Sequence, residues 1–177
     1  MPTILVKDKH FELSIPESKI LESIKGIADQ MNKDLKGKNP LFICVLNGAF
    51  MFASDLMKRL DFDCEITFIR LKSYQGTNTE GSIKEVQGLI EDIKDRHVII
   101  VEDIIDTGHT IFHLKRQLLE QRPQTIQIAS LLFKPAALQV DIEPDYVALE
   151  VPNDFIVGYG LDYDGHGRNY KDIYKIK

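Results

Sequence analysis

At 177 residues, with 44% hydrophobic and 28% charged residues, the chain has the composition of one ordinary globular domain, long enough to bury a full core. A formal net charge of −5 without any basic run argues against a nucleic-acid partner. No apolar stretch approaches membrane-spanning length and no signal-peptide core follows Met1, so no membrane partner and a cytoplasmic location are expected.

Residues 1–15 alternate loosely around Ile4, Val6 and Phe11 to Ile15, which suggests a short strand or hairpin arm. From Pro16 the spacing turns helical. Ile20, Ile24, Ile27, Ala28, Met31 and Leu35 form one apolar stripe, Ser14 or Ser18 is available to cap it, and Gly37 to Pro40 stops it. Leu41 to Leu46 then reads as a buried strand ending at Asn47-Gly48, and Ala49, Phe52, Ala53, Leu56 and Leu60 as a helix. Gly48 at a strand's carboxyl end makes either a plain tight turn or a close backbone approach to a ligand.

Cys64 to Leu71 is the next strand. Neither Cys64 nor Cys44 has metal-ligand or disulfide spacing, so both read as reduced packing residues. Ser73 to Gly88 follows as a polar stretch without apolar periodicity, holding Gly76, Gly81 and Gly88. A segment of that kind is either a lid or a hairpin connection, and Ser82 to Leu89 is compatible with the second.

The chain is organised around Val98 to Thr110, VIIVEDIIDTGHT. The β-branched run Val98 to Val101 predicts a strand buried on both faces; Glu102 and Asp103 follow it, and Asp106-Thr107-Gly108-His109-Thr110 opens a helical pattern. Backbone N–H groups at such a helix start, with the hydroxyls of Thr107 and Thr110, suit a phosphate. Three carboxylates at the same strand end, Glu102, Asp103 and Asp106, would repel that phosphate unless a cation bridges them or they bind sugar hydroxyls. The combination implies a ligand carrying ribose, phosphate and Mg2+. Asp-Thr-Gly is also the aspartic-protease triplet, but Ile111, Leu114, Leu118 and Leu119 follow at helical spacing, which that all-β fold does not allow. A receiver domain would need acids at the end of an opening strand, and Asp106 as a mere helix cap leaves the other two acids unexplained.

Arg122-Pro123 ends the helical segment, Thr125 to Phe133 forms a buried strand closing on Lys134-Pro135, and Tyr146 to Glu150 forms a fifth. Val151-Pro152-Asn153-Asp154 breaks the pattern before Phe155-Ile156-Val157-Gly158-Tyr159-Gly160, Asp162, Tyr163 and Arg168. By residue statistics alone Lys134 is a solvated strand end, Phe155 a core residue, and Asp162 and Arg168 surface charges.

VIIVEDIIDTGHT closely resembles the phosphoribosyl pyrophosphate signature of the purine phosphoribosyltransferases, in their hypoxanthine-guanine branch, and LNGAF, RLKSY, LLFK and DFIVGYGLDY fall in family order after residue 10. The resemblance implies transfer of the phosphoribosyl group of phosphoribosyl pyrophosphate to a 6-oxopurine, hypoxanthine or guanine, giving the nucleoside monophosphate and pyrophosphate. It implies Asp106 as the base that takes the purine proton, Glu102 and Asp103 with the sugar and Mg2+, and Thr107, Gly108, His109 and Thr110 as the phosphate loop. It also implies Lys134 on the exocyclic oxygen, Phe155 stacked on the purine with the Ile156 backbone at the base edge, Asp162 near Mg2+, and Arg168 on the pyrophosphate. The loop at Asn47 and Gly48 contacts pyrophosphate in the family and often carries a basic residue where Asn47 stands; His109 likewise replaces what is often Lys or a small polar residue. Ser73 and Tyr74 match the hinge side of a mobile loop, here about 73–88.

Alternating strands and helices predict an open, mostly parallel α/β sheet, and the family implies five strands with a small hood from the chain ends, all in one domain spanning 1–177. The family also implies a homo-oligomer, dimer or tetramer. The competing functions are a phosphoribosyltransferase for xanthine, adenine or a pyrimidine, and a non-catalytic regulator that senses phosphoribosyl pyrophosphate.

Overall fold

The structure, a computed structural model, describes residues 2–73 and 83–177. A hairpin opens the chain, β1 (Thr3–Val6) pairing antiparallel with β2 (Lys9–Ile15). Helix α1 (Glu17–Asp34) follows, then β3 (Leu41–Leu46), α2 (Phe50–Met57), β4 (Glu65–Ser73) and β5 (Ile83–Gln87). The second half holds β6 (His97–Ile105), α3 (His109–Leu119), β7 (Thr125–Phe133), β8 (Tyr146–Glu150), β9 (Ile156–Val157) and β10 (Ile173–Ile176).

Among the described residues the strands form two sheets. The larger has the order β5-β4-β3-β6-β7-β8, parallel throughout except for β5, which pairs antiparallel with β4. Its central strands are buried on both faces, which explains why β3 and Val98 to Val101 are unbroken apolar runs rather than alternating ones. One face is covered by α1 and α2 through Ile20, Ile24, Met31, Phe52 and Leu56; the other by α3 through Ile111, Leu114 and Leu118. Each such fully buried side chain contributes about 1.5–3 kcal/mol, so the stripes seen in the sequence carry most of the docking energy. The hood is a four-stranded antiparallel sheet of order β1-β2-β10-β9 around Val6, Phe11, Val157 and Tyr174.

Some local expectations are corrected. Neither Ser14 nor Ser18 caps α1: Pro16 occupies the cap without a side-chain bond, and the Glu17 N–H donates instead to Asp172 Oδ1 at 2.7 Å. Asp172 suits this place because a carboxylate at a helix start meets unpaired N–H groups and the positive end of the helix dipole. Helix α2 ends at Met57, short of Leu60. Glu102 and Asp103 lie within β6 rather than after it. Of the segment read as a lid or hairpin, residues 83–87 form β5, while 74–82, including Tyr74, lie outside the described residues. No described helix is long and apolar enough to cross a membrane.

Candidate active site

Parallel strands deliver their carboxyl ends to one edge, and there the predicted residues gather. Asn47 and Gly48 after β3, Glu102 and Asp103 near the end of β6, Thr110 in the first turn of α3, and Asp162 and Arg168 from the hood segment all line one cavity of about 320 Å³. Its closeness is forced at Gly48: a Cβ there would stand 1.5 Å from Asp103 Oδ2. A second glycine brings in the hood segment. Gly160 has φ +97, and a Cβ on it would lie 2.1 Å from the Gly48 carbonyl oxygen, so the chain carrying Asp162 rests directly on the Asn47-Gly48 loop. The Leu46–Asn47 peptide is cis.

The electrostatics are lopsided. Glu102 is buried, 6% exposed, and burial together with the Asp103 carboxylate raises its carboxyl well above the usual range. Burial raises Asp103 as well, against the opposing pull of its Glu102 contact, the Ile104 N–H and the Arg168 charge. Asp103 Oδ1 accepts the Ile104 N–H at 2.7 Å, and the Asp103 N–H donates to Glu102 Oε1 at 3.1 Å. Arg168 is held in two directions, Nη2 to Asp162 Oδ1 at 2.7 Å and Nη1 to the Gly160 carbonyl at 2.7 Å; the other Asp162 oxygen accepts the Gly165 N–H. Two adjacent carboxylates raised by burial form an oxygen site suited to a hard divalent cation. That fits Mg2+, which is usually held by one or two carboxylates with water and substrate oxygens completing its shell.

Beside this cavity lies a second cluster. Lys134, expected from statistics to be solvated, is 6% exposed, and its Nζ donates to Asp106 Oδ2 at 3.0 Å and reaches Asn153 Oδ1 at 3.5 Å. Its backbone N–H is fixed to the Ile105 carbonyl at 2.9 Å, which brings the side chain to the turn after β6. Asn153 joins this cluster without having been among the predicted residues; its signal, an amide two residues before Phe155 in a Pro-broken segment, is indistinguishable from ordinary turn chemistry. Phe155 is 45% exposed at the hood's edge, its ring 5.8 Å from Tyr163 in an edge contact and 6.2 Å from Phe11. Ile156 belongs to β9 and pairs with Lys175. Ser73 closes β4 at the same sheet edge.

The turn from β6 into α3 is short, running only from Asp106 to Gly108. Gly108, φ 84, is the left-handed N-cap of α3, and the first-turn N–H groups that follow lack partners within the helix. Thr107 is tied by its carbonyl to the Gln139 N–H at 3.0 Å, and His109 Nε2 contacts Gln139 Oε1 at 3.1 Å rather than any cavity group.

The fold is found in known proteins. A family model described as the phosphoribosyl transferase domain matches residues 16–164. The chain belongs to the phosphoribosyltransferase family. Among its relatives, the hypoxanthine-guanine phosphoribosyltransferase of Streptococcus pneumoniae is 41% identical over 92% of this chain and 91% of its own length, and that of Streptococcus pyogenes 44% identical over 91% and 90%. A Staphylococcus aureus hypoxanthine phosphoribosyltransferase crystal structure superposes with a TM-score of 0.86 at 36% identity, covering 94% of this chain and 91% of that one. Its phosphoribosyltransferase relatives thus share the whole sheet-and-hood architecture, not the signature loop alone.

Proposed function

We propose that this phosphoribosyltransferase works in purine salvage, transferring the phosphoribosyl group of phosphoribosyl pyrophosphate to hypoxanthine or guanine and releasing pyrophosphate. The observation that carries the reading is the pairing of two clusters at one strand edge: an anion and cation cavity around Glu102, Asp103 and Arg168, and beside it the buried Lys134 ion-paired to Asp106. Relatives of 41–44% identity bear the hypoxanthine-guanine name.

In this mechanism Glu102 and Asp103, with Asp162 touching the ion directly or through water, would hold Mg2+, which would supply charge neutralisation for the departing pyrophosphate. Arg168 adds a two-donor contact to the same group, and Asn47 and Gly48 close around it without a cation of their own. Thr107, Gly108, His109 and Thr110 surround the 5′-phosphate at the start of α3. Lys134 has three donors; Asp106 and Asn153 engage two, and the third meets the 6-oxo oxygen of the base, where a 6-amino group offers no lone pair in plane. Phe155 stacks on the purine, and the Ile156 backbone lies at its edge. As the bond from the anomeric carbon to pyrophosphate breaks and the bond to a purine imidazole nitrogen forms, Asp106 takes the proton of the purine imidazole.

The free thiols of Cys44 and Cys64 suit the reducing cytoplasm proposed for it. Exposed Ile66 and Phe68 share one face of β4, and with exposed Phe50 in α2 they suit a homo-oligomeric contact. The single-domain reading of 1–177, with a lid about 73–88, belongs to the same proposal. The deciding experiment is pyrophosphate release from purified protein with Mg2+ and phosphoribosyl pyrophosphate, offering hypoxanthine, guanine, xanthine, adenine, uracil or orotate singly. Release with hypoxanthine or guanine and none with adenine is expected. Binding of the sugar phosphate without release for any base would overturn the catalytic reading.

A further inference from the structure

The first two turns of α3 carry a separate set of ligating side chains. His109 and His113 are one helical turn apart and project from the same face, their rings 18° from parallel and their centroids 6.4 Å apart. Gln139 reaches the same place from the chain after β7, its Oε1 3.1 Å from His109 Nε2. That chain is held there independently of the histidines. The Gln139 N–H bonds the Thr107 carbonyl, and the Leu138 and Val140 methyl groups fill the space beside Gly108.

We propose that His109, His113 and the Gln139 amide oxygen form a binding site for a borderline transition cation, Zn2+, Ni2+ or Cu2+, separate from the carboxylates that suit Mg2+. Two imidazoles at i and i+4 on a helix present their nitrogens to one ion, and imidazole selects these cations where carboxylate oxygens select Mg2+. As it stands, Gln139 Oε1 accepts a hydrogen bond from the His109 Nε2–H; an ion would take the place of that proton, and the 3.1 Å between the two atoms lies within the roughly 2.9–3.5 Å that separates two ligands held about 2.0–2.2 Å from one ion. Binding requires the neutral His109 ring with its proton on Nδ1, leaving Nε2 as a ligand, and rotation of the His113 ring toward it. Solvent completes the coordination. The bound ion would clip the first turn of α3 to the chain at Gln139. Thr110, which lines the carboxylate cavity, is the next residue, so occupancy of this site is coupled to the phosphate loop.

The site does not depend on the proposed transferase activity, and its test reads binding alone. Tag-free protein in excess Mg2+ is titrated calorimetrically with NiCl2, and its melting temperature is followed with and without Ni2+. The expected result is one saturable site that Mg2+ does not displace, with affinity roughly tenfold or more weaker in His113→Gln and in His109→Ala, and unchanged in His166→Ala. Each variant's melt without Ni2+ reports that it is folded. Parent-like Ni2+ affinity in folded His113→Gln, or no saturable binding by the parent protein, would overturn the site.

Discussion

Tyr159→Phe tests how the hood is fastened to the catalytic edge. Tyr159 is 1% exposed, and its hydroxyl donates to Asp55 Oδ2 on α2, while the next residue, Gly160, rests on Gly48 and accepts from Arg168. Removing the hydroxyl leaves the ring in place, so no large cavity opens, and Asp55 keeps Lys58 Nζ at 2.6 Å and Arg59 Nη1 at 3.9 Å. The loss is therefore one hydrogen bond to a charged acceptor without an orphaned carboxylate, at the lower end of about 1.5–3 kcal/mol. For a chain of this size that lowers the melting temperature by roughly 3–8 °C.

The pH dependence follows from the two partners. Burial acts to raise Asp55, but its bonds to Lys58 and Tyr159 outweigh it and hold the carboxyl below its ordinary value; burial and Asp55 push the Tyr159 phenol up. A depressed acid contributes stability above its unfolded value, about 3.9, that is lost as pH falls through the folded one. A raised phenol contributes stability below its unfolded value, about 10, that is lost as pH rises through the folded one. The difference between parent and variant should therefore stay constant across neutral pH and shrink both in strong acid and in strong base. Thermal and urea unfolding, with Asp55→Asn and the double variant to complete the cycle, measure it. A Tyr159→Phe melting temperature equal to the parent's at neutral pH would refute the reasoning, as would a difference that grew on acidification.

Three further outcomes are expected. Asp106→Asn should lower turnover by on the order of 10²–10⁴ in a pyrophosphate-release assay and, because Lys134 then loses its carboxylate partner, should also lower stability by about 1–3 kcal/mol in urea; near-parental turnover would remove Asp106 from the mechanism. Gly48→Ala places a methyl group on the Asp103 carboxylate, so calorimetry should show weakened Mg2+-dependent binding of phosphoribosyl pyrophosphate, and parental affinity would contradict the close packing. Phe155→Ala should leave the melting temperature within a few degrees while raising the KM for the purine roughly two- to tenfold, the loss of a stacking contact of about 0.5–1.5 kcal/mol; an unchanged KM would take Phe155 out of the base site.

Much of this protein was legible along the chain. The strands β3, β6 and β7 were readable because a parallel strand covered on both faces must be apolar at successive positions, and α1 because its buried residues recur at helical spacing. The turn from β6 into α3 was readable too, since strand, acids, glycine and helix start are local and contiguous. What the tertiary structure decided depends on partners far apart in sequence. Asp172 rather than Ser14 or Ser18 meets the start of α1; β10 completes the hood beside β2; Lys134 is buried against Asp106; Tyr159 fastens to Asp55. Each of these residues has the composition of a surface charge or an ordinary core aromatic, and nothing in its neighbours along the chain distinguishes it. A polar side chain's energy depends on whether a partner compensates its lost hydration, and only the folded chain supplies that partner.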